Sequence, residues 1–275
     1  MLAKAVGLET DEIVVDLEDS VAADAKEQAR ELVAAFLARE RSFAAAVAVR
    51  VNVLEGRWGE RDVVELVRRA GSRIGSLVVP KVERSEDIAE VERLLDSLGE
   101  PAGGVRLQAL VETAAGLLHV GEIVAASPRL EALILGYADL AASLGRAPGV
   151  MAPDRWLYAQ ETLLVAARAA GLQMIDGPYL EIRDQAGLRL RVEHVRTLGF
   201  DGKWAVHPDQ LAIINAAFTP TAEEIARARA ILDALKYAEG RGAVELNGEM
   251  IDEASRKLAL QVVARGRAAG LEGAE

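Results

Sequence analysis

Ile13-Val14-Val15-Asp16-Leu17-Glu18-Asp19 is a short β-branched run that stops abruptly in acids, and the chain repeats that design along its length. Val47-Ala48-Val49 runs into Arg50-Val51-Asn52, Leu77-Val78-Val79 into Pro80-Lys81, and Leu107 to Val111 into Glu112. Leu133-Ile134-Leu135 meets Gly136-Tyr137-Ala138-Asp139, Met174-Ile175 meets Asp176, and Trp204-Ala205-Val206 meets His207-Pro208. Short apolar runs of this kind read as buried strands. Helical patterns separate them, at 24–37, 60–70, 85–98, 114–126, 153–170 and 188–198. In the first, Ala25, Ala29, Leu32, Val33 and Phe36 share one face; Ser85 reads as an N-cap, and Gly199 as the residue that ends its helix. Alternating strands and helices demand a parallel sheet with right-handed crossovers. The carboxyl ends of such strands open onto one face, where ligands bind. The polar strand ends therefore describe one site assembled from the whole chain, which is an enzyme's layout.

Length and composition agree. The 275 residues are 51% hydrophobic but only 4% aromatic, which suits the branched-aliphatic interior of a (β/α)8 TIM barrel. Seven strands are legible where a closed barrel has eight, so the first strand is expected to be missing from this chain, upstream of Met1. The expected organisation is a catalytic barrel over 1–218 and a C-terminal helical extension over 219–275. In the extension, Thr221 caps a helix running to about Ala238. A Gly-rich segment (Gly240, Gly242, Gly248) follows, then a last helix from about Asp252 to Ala269. This tail is expected over the barrel mouth or on a neighbouring subunit.

The formal net charge of −11 argues against nucleic acid or an anionic membrane as partner. The absence of cysteine excludes disulfides, thiolate nucleophiles and Cys-ligated metals. No leader-like segment and no apolar stretch of membrane-spanning length is visible, so a cytoplasmic protein is expected. There is no Gly-x-Ser-x-Gly, no phosphate loop ending Gly-Lys-Ser/Thr and no His-Glu-x-x-His, which removes the hydrolase-triad, nucleotide-phosphate and zinc-protease readings.

Glu112 and Asp139 end consecutive strands, and neighbouring strands lie about 4.8 Å apart. Two carboxylates so placed can converge on Mg²⁺, which prefers oxygen ligands and keeps open positions; a pair of salt-bridged acids is the bland alternative. Arg50, with Asn52 two residues on and on the same face, can hold a carboxylate or an enolate oxygen, or else form an ion pair with Asp16, Glu18 or Asp19. Of those three acids, one is expected to cap the next helix or to hold a water on the cation. Lys81 reads equally as an anion contact or a solvated lysine. His119 and His194 fall inside helical patterns and read as structural, whereas His207 is a plausible pocket residue.

These residues lie in motifs that resemble the citrate lyase β-subunit-like branch of the HpcH/HpaI aldolase superfamily. The resemblance rests on Val15 to Val21 with Lys26 and Ala29-Arg30, Arg50-Val51-Asn52, Val79-Pro80-Lys81, Leu110 to Ala114 and Gly136 to Gly145. It continues through Ile175 to Pro178, Leu198 to Lys203, Val206 to Gln210 and Asn247 to Asp252. It implies a barrel with a C-terminal extension, usually in a homotrimer, with Mg²⁺ on Glu112 and Asp139 and substrate on Arg50. Ala138 and Val206 join Glu112, Asp139 and His207 as expected substrate-lining positions, and Glu18 and Asp19 as supports behind the cation. It also gives Asp252, otherwise a helix N-cap, the role of acid/base on a lid from a neighbouring subunit. The implied reaction is Mg²⁺-dependent carbon–carbon cleavage of a 3-hydroxyacyl-CoA thioester of the malyl-CoA or citramalyl-CoA type to acetyl-CoA and a 2-oxo acid, with thioesterase or synthase activity also open. The alternatives are a citrate lyase β subunit acting on a citryl-acyl-carrier-protein thioester, and a coenzyme-A-independent pyruvate or oxaloacetate aldolase. Two departures stand out: the family's Phe-Val-Pro-Gly strand is absent, and Glu253 follows Asp252 where Pro is common.

Overall fold

The computed structural model describes residues 2–39, 45–147, 155–237 and 242–271. The expected helix limits at Pro153 and Ala238, and Gly240, lie outside them. The chain forms two compact units, Met1–Leu211 and Ala212–Glu275.

The first unit is a curled, wholly parallel sheet of the (β/α)8 type with strands in chain order, β1 (Glu12–Asp16), β2 (Ala46–Arg50), β3 (Ser76–Val79), β4 (Arg106–Val111), β5 (Leu130–Leu135), β6 (Gln173–Asp176) and β7 (Gly202–Lys203). Its helices are α1 (Leu2–Ala5), α2 (Lys26–Arg39), α3 (Gly59–Ala70), α4 (Ser85–Leu98), α5 (Ala114–Leu118), α6 (Val120–Ile123), α7 (Tyr137–Ser143), α8 (Leu157–Ala169) and α9 (Gln185–Leu198). α10 (Leu211–Phe218) leads into the second unit. No described helix is long and apolar enough to cross a membrane.

Strand periodicity decides what faces the barrel interior. Ala48, Val78, Leu110 and Ile134 form one inner layer, with Val14, Ile175 and Trp204 packed against it. Side chains repeat every two residues along a strand, so the next layer towards the carboxyl ends holds Asp16, Arg50, Glu112 and Gly136. The layer on the other side is polar: the Gln108 amide donates to Glu12 Oε1 at 2.9 Å and to Ser76 Oγ at 2.8 Å.

Several local expectations change. The buried face of α2 is Lys26, Arg30, Val33, Ala34 and Leu37, and Leu32 is exposed. Arg84 rather than Ser85 occupies the N-cap of α4, because the Asp87 carboxylate takes the amides of Glu83 and Arg84 at 2.7 and 2.9 Å. The helix expected over 114–126 breaks at His119, whose Nδ1 turns to the Glu83 carbonyl. Gly199 closes α9 with φ 109°, as expected. The strand expected at Trp204-Ala205-Val206 is instead Gly202–Lys203, and Val206 is exposed.

In the second unit, α11 (Ala222–Lys236) opens on a Thr221/Glu224 capping box, and α12 (Glu253–Ala268) opens on Asp252. They pack through Ala228, Ala259 and Val263, small enough for close approach. The Gly-rich segment between them contains an antiparallel hairpin, β8 (Ala243–Leu246) and β9 (Glu249–Asp252). Asn247 and Gly248 turn it with φ 53° and 84°, the positive pair that a two-residue hairpin turn requires.

Candidate active site

Arg50 ends β2 with its guanidinium forked onto Asp16 at the end of β1: Nε donates to Oδ1 at 2.7 Å and Nη2 to Oδ2 at 2.5 Å. Burial alone would raise the Asp16 carboxyl, but the Arg50 fork outweighs it and brings it down to about 2. The third nitrogen, Nη1, lies 3.1 Å from Glu18 Oε2. Both readings of Arg50 are thus compatible, since the ion pair occupies one edge of the fork and fixes where the remaining N–H groups point. Trp204 lies beneath, with its ring 5.9 Å from Cζ.

Lys81, one residue past Pro80, has φ 51°, a conformation uncommon for a side chain with a Cβ. The turn sends its amide to Glu112 Oε1 at 3.0 Å. Its ammonium pairs with Glu18 and, at 3.3 Å, with Asp19. These acids raise it to about 12 against the opposing effect of burial. Asp19 is otherwise at the exposed rim, while Glu18 is 4% exposed.

Glu112 is 2% exposed. Burial first, and then the nearby Asp139 charge, raise its carboxyl to about 7, against the pull of the Lys81 amide. The absent Cβ of Gly136 makes room for it: a Cβ there would stand 2.5 Å from Glu112 Oε2. Asp139 lies in the first turn of α7, with the exposed Ala138 beside it. Among the described residues no three His, Cys, Asp or Glu side chains are grouped to hold a metal ion.

Two expected strand-end residues turn away from this face. Asn52 lies past the end of β2 and is buried, donating to Leu17 O at 3.0 Å and to Asp62 Oδ2 at 2.6 Å. Asp176 follows inward-facing Ile175 and so faces outward under the helices. It is fully buried, accepting from Tyr137, Arg191 at 3.2 Å and Lys203 at 2.5 Å. His207 Nδ1 accepts the Asp209 amide at 3.2 Å in a turn after β7, and His194 bonds to Gln160 at 3.1 Å.

Lys26 was missed as a functional support. Its buried ammonium donates to the carbonyls of Leu17 at 2.9 Å and Glu18 at 2.7 Å and to Asn52 Oδ1 at 2.7 Å. Arg30, one turn on, holds Asp62 at 3.0 Å. The signal was in the sequence: two cations four residues apart on the face α2 buries.

A family model described as HpcH/HpaI aldolase/citrate lyase matches residues 1–208. The chain belongs to this family. An L-malyl-CoA/beta-methylmalyl-CoA lyase of Cereibacter sphaeroides is 37% identical over 274 residues, covering 92% of this chain and 86% of that protein. A (3S)-malyl-CoA thioesterase of the same species is 39% identical over 272 residues, covering 97% of this chain and 90% of the other. Among solved structures, a citrate lyase of Burkholderia xenovorans superposes with a TM-score of 0.84 at 28% identity, covering 94% of this chain and 84% of that one. The CitE protein of Mycobacterium tuberculosis, solved with magnesium, acetoacetate and coenzyme A, gives a TM-score of 0.76 at 28% identity over 94% of this chain and 90% of its own. The acids and the arginine of this HpcH/HpaI family member thus lie where a parallel barrel presents its ligand face.

Proposed function

We propose that this chain is a Mg²⁺-dependent carbon–carbon lyase that cleaves a 3-hydroxyacyl-CoA thioester, of the malyl-CoA or citramalyl-CoA type, to acetyl-CoA and a 2-oxo acid. The observation that carries the reading is the grouping of a forked Arg50 with buried Glu112, itself beside Asp139. The donor set fits the ion: two oxygen ligands leave positions for water and a chelating substrate, and Glu112, raised by burial beside a second acid, gains from a cation. Bound to Glu112 and Asp139, Mg²⁺ would supply Lewis acidity to the carboxylate and hydroxyl oxygens of the 2-hydroxy acid.

The remaining work falls to the chain's own groups. The N–H groups of Arg50 not engaged by Asp16 would stabilise the thioester enolate oxygen as the carbon–carbon bond breaks. Ala138, Val206 and His207 would line the substrate. Glu18 would act by holding Arg50 and Lys81, with Asp19 at the rim. Asp252 would protonate the enolate carbon. Its hydrogen bonds from Ala254 and Ser255 all fall on Oδ1, which leaves Oδ2 for the proton. We assign that residue to a lid contributed by a neighbouring copy in a homotrimer, and the enzyme to the cytoplasm, where coenzyme A esters are made and consumed.

The second reading is hydrolysis of the same thioester, favoured by the (3S)-malyl-CoA thioesterase relatives, one of which is 38% identical over 99% of this chain. One experiment separates the two: purified protein with Mg²⁺ and malyl-CoA, following 2-oxo acid and free thiol independently, with EDTA and Asp252→Asn as controls. Oxo acid without thiol, lost in both controls, is the expected result. Thiol without oxo acid would establish the thioesterase instead, and neither product would refute both.

A further inference from the structure

Lys81 takes no part in the chemistry above, yet it joins two parts of the site. Its main chain and its side chain reach different acids: the left-handed amide holds Glu112 Oε1 at 3.0 Å, and the ammonium holds Glu18. Gly116 preserves that corner, because a Cβ there would stand 2.1 Å from the Val82 carbonyl.

The charges around it are unbalanced. Asp16, Glu18, Asp19, Glu112 and Asp139 share the strand-end face with two cations, Arg50 and Lys81. Asp16 takes two nitrogens of Arg50, and Glu18 is divided between the third and Lys81. The nearby ammonium of Lys26 is spent on the carbonyls of Leu17 and Glu18 and on Asn52, not on the Glu18 carboxylate. Without Lys81, Glu18 would keep Arg50 as its one cationic partner among these contacts, and two acids would then compete with substrate for a single guanidinium.

We infer that Lys81 is a positioning residue: by occupying Glu18 it keeps Arg50 available to an anionic substrate, while its left-handed amide fixes the Glu112 carboxylate. The inference rests on the metal-dependent reading given above, and it makes an asymmetric forecast. Removing the ammonium deletes a positive charge near Glu112, so it should not weaken Mg²⁺. It should weaken the 2-oxo acid. A merely structural lysine would weaken both together.

The test is calorimetry on the full chain with Lys81→Met, Lys81→Gly and Lys81→Arg, titrating Mg²⁺ alone and then pyruvate at saturating Mg²⁺. Lys81→Met should bind Mg²⁺ as tightly as the parent or more so, and pyruvate about tenfold more weakly. Lys81→Gly, whose backbone accepts positive φ without strain, should behave alike, and Lys81→Arg should recover most of the pyruvate affinity. Equal losses for both ligands in Lys81→Met, or unchanged pyruvate affinity, would overturn the inference. A parent chain that binds neither ligand would instead overturn the metal-dependent reading on which it stands.

Discussion

Replacing Glu112 by Gln probes the site through stability rather than turnover. The side chain is 2% exposed, and its carboxyl is raised from the ordinary 4.5 to about 7 by burial and then by Asp139. An acid whose folded pKa is raised contributes stability that is fully present below the unfolded value and is lost as pH rises through the folded one. The window therefore runs from 4.5 to about 7. At roughly 1.4 kcal/mol per pKa unit, Glu112 costs about 3 kcal/mol at pH 8, where it is ionised in the fold, and about 1 kcal/mol at pH 5.5, where folding must protonate a carboxylate that is ionised in the unfolded chain. Glu112→Gln keeps the shape, and its carbonyl oxygen can still accept the Lys81 amide. In EDTA the variant should therefore exceed the parent in stability by those amounts. Mg²⁺ at a hundred times its Kd should raise the parent by about 2.7 kcal/mol and leave the variant unchanged. Urea unfolding at both pH values, with EDTA or with Mg²⁺, measures all four quantities. A metal-free variant less stable than the parent at pH 8, or one that Mg²⁺ stabilises equally, refutes the reasoning.

Three other outcomes follow from the geometry. Arg50→Lys cannot rebuild the fork on Asp16, so kcat/KM for malyl-CoA should fall about 10²- to 10³-fold with little change in thermal midpoint. Asp252→Asn keeps a good N-cap for α12, and its melting temperature should stay close to the parent's while turnover drops about 10²- to 10⁴-fold; a large loss of stability instead would assign Asp252 to capping alone. Lys203→Met leaves buried Asp176 with Arg191 as its one remaining cation, and chemical denaturation should show a loss of about 3 kcal/mol.

Much of this was legible because each long apolar run carries its own phase. Val14, Ala48, Leu110 and Ile134 face inward, so the polar residues two positions on face the mouth, and Asp16, Arg50 and Glu112 follow from that count. The count fails where runs are short. Met174-Ile175 is too brief to show that Asp176 alternates outward, and a two-residue β7 leaves no period at all, which is why Trp204 to Val206 read as a strand. Lys26 escaped because it and Arg30 lie off the apolar face that the α2 pattern shows. The Lys81 side chain was legible as an anion contact while its amide was not, since side-chain pattern does not encode a left-handed turn. The hairpin was readable in Asn247-Gly248, whose residue types are those a two-residue turn selects, whereas glycine content alone marks only a Gly-rich segment between two helices.

The buried contacts of Lys203 bear on more than stability. β7 pairs with β6 over only two residues, Ile175 with Gly202 and Asp176 with Lys203. So short a ladder does little to forbid a slip, and a shift of one residue exchanges the faces of every side chain on a strand. In the slipped pairing the ammonium of Lys203 would enter the apolar barrel layer, and Asp176 would lose a buried partner. The ion pair thus acts as a registration pin: it favours one alignment by making the neighbouring one electrostatically intolerable. What it registers is the exit of the chain from β7, and with it the station of Trp204 beneath Arg50.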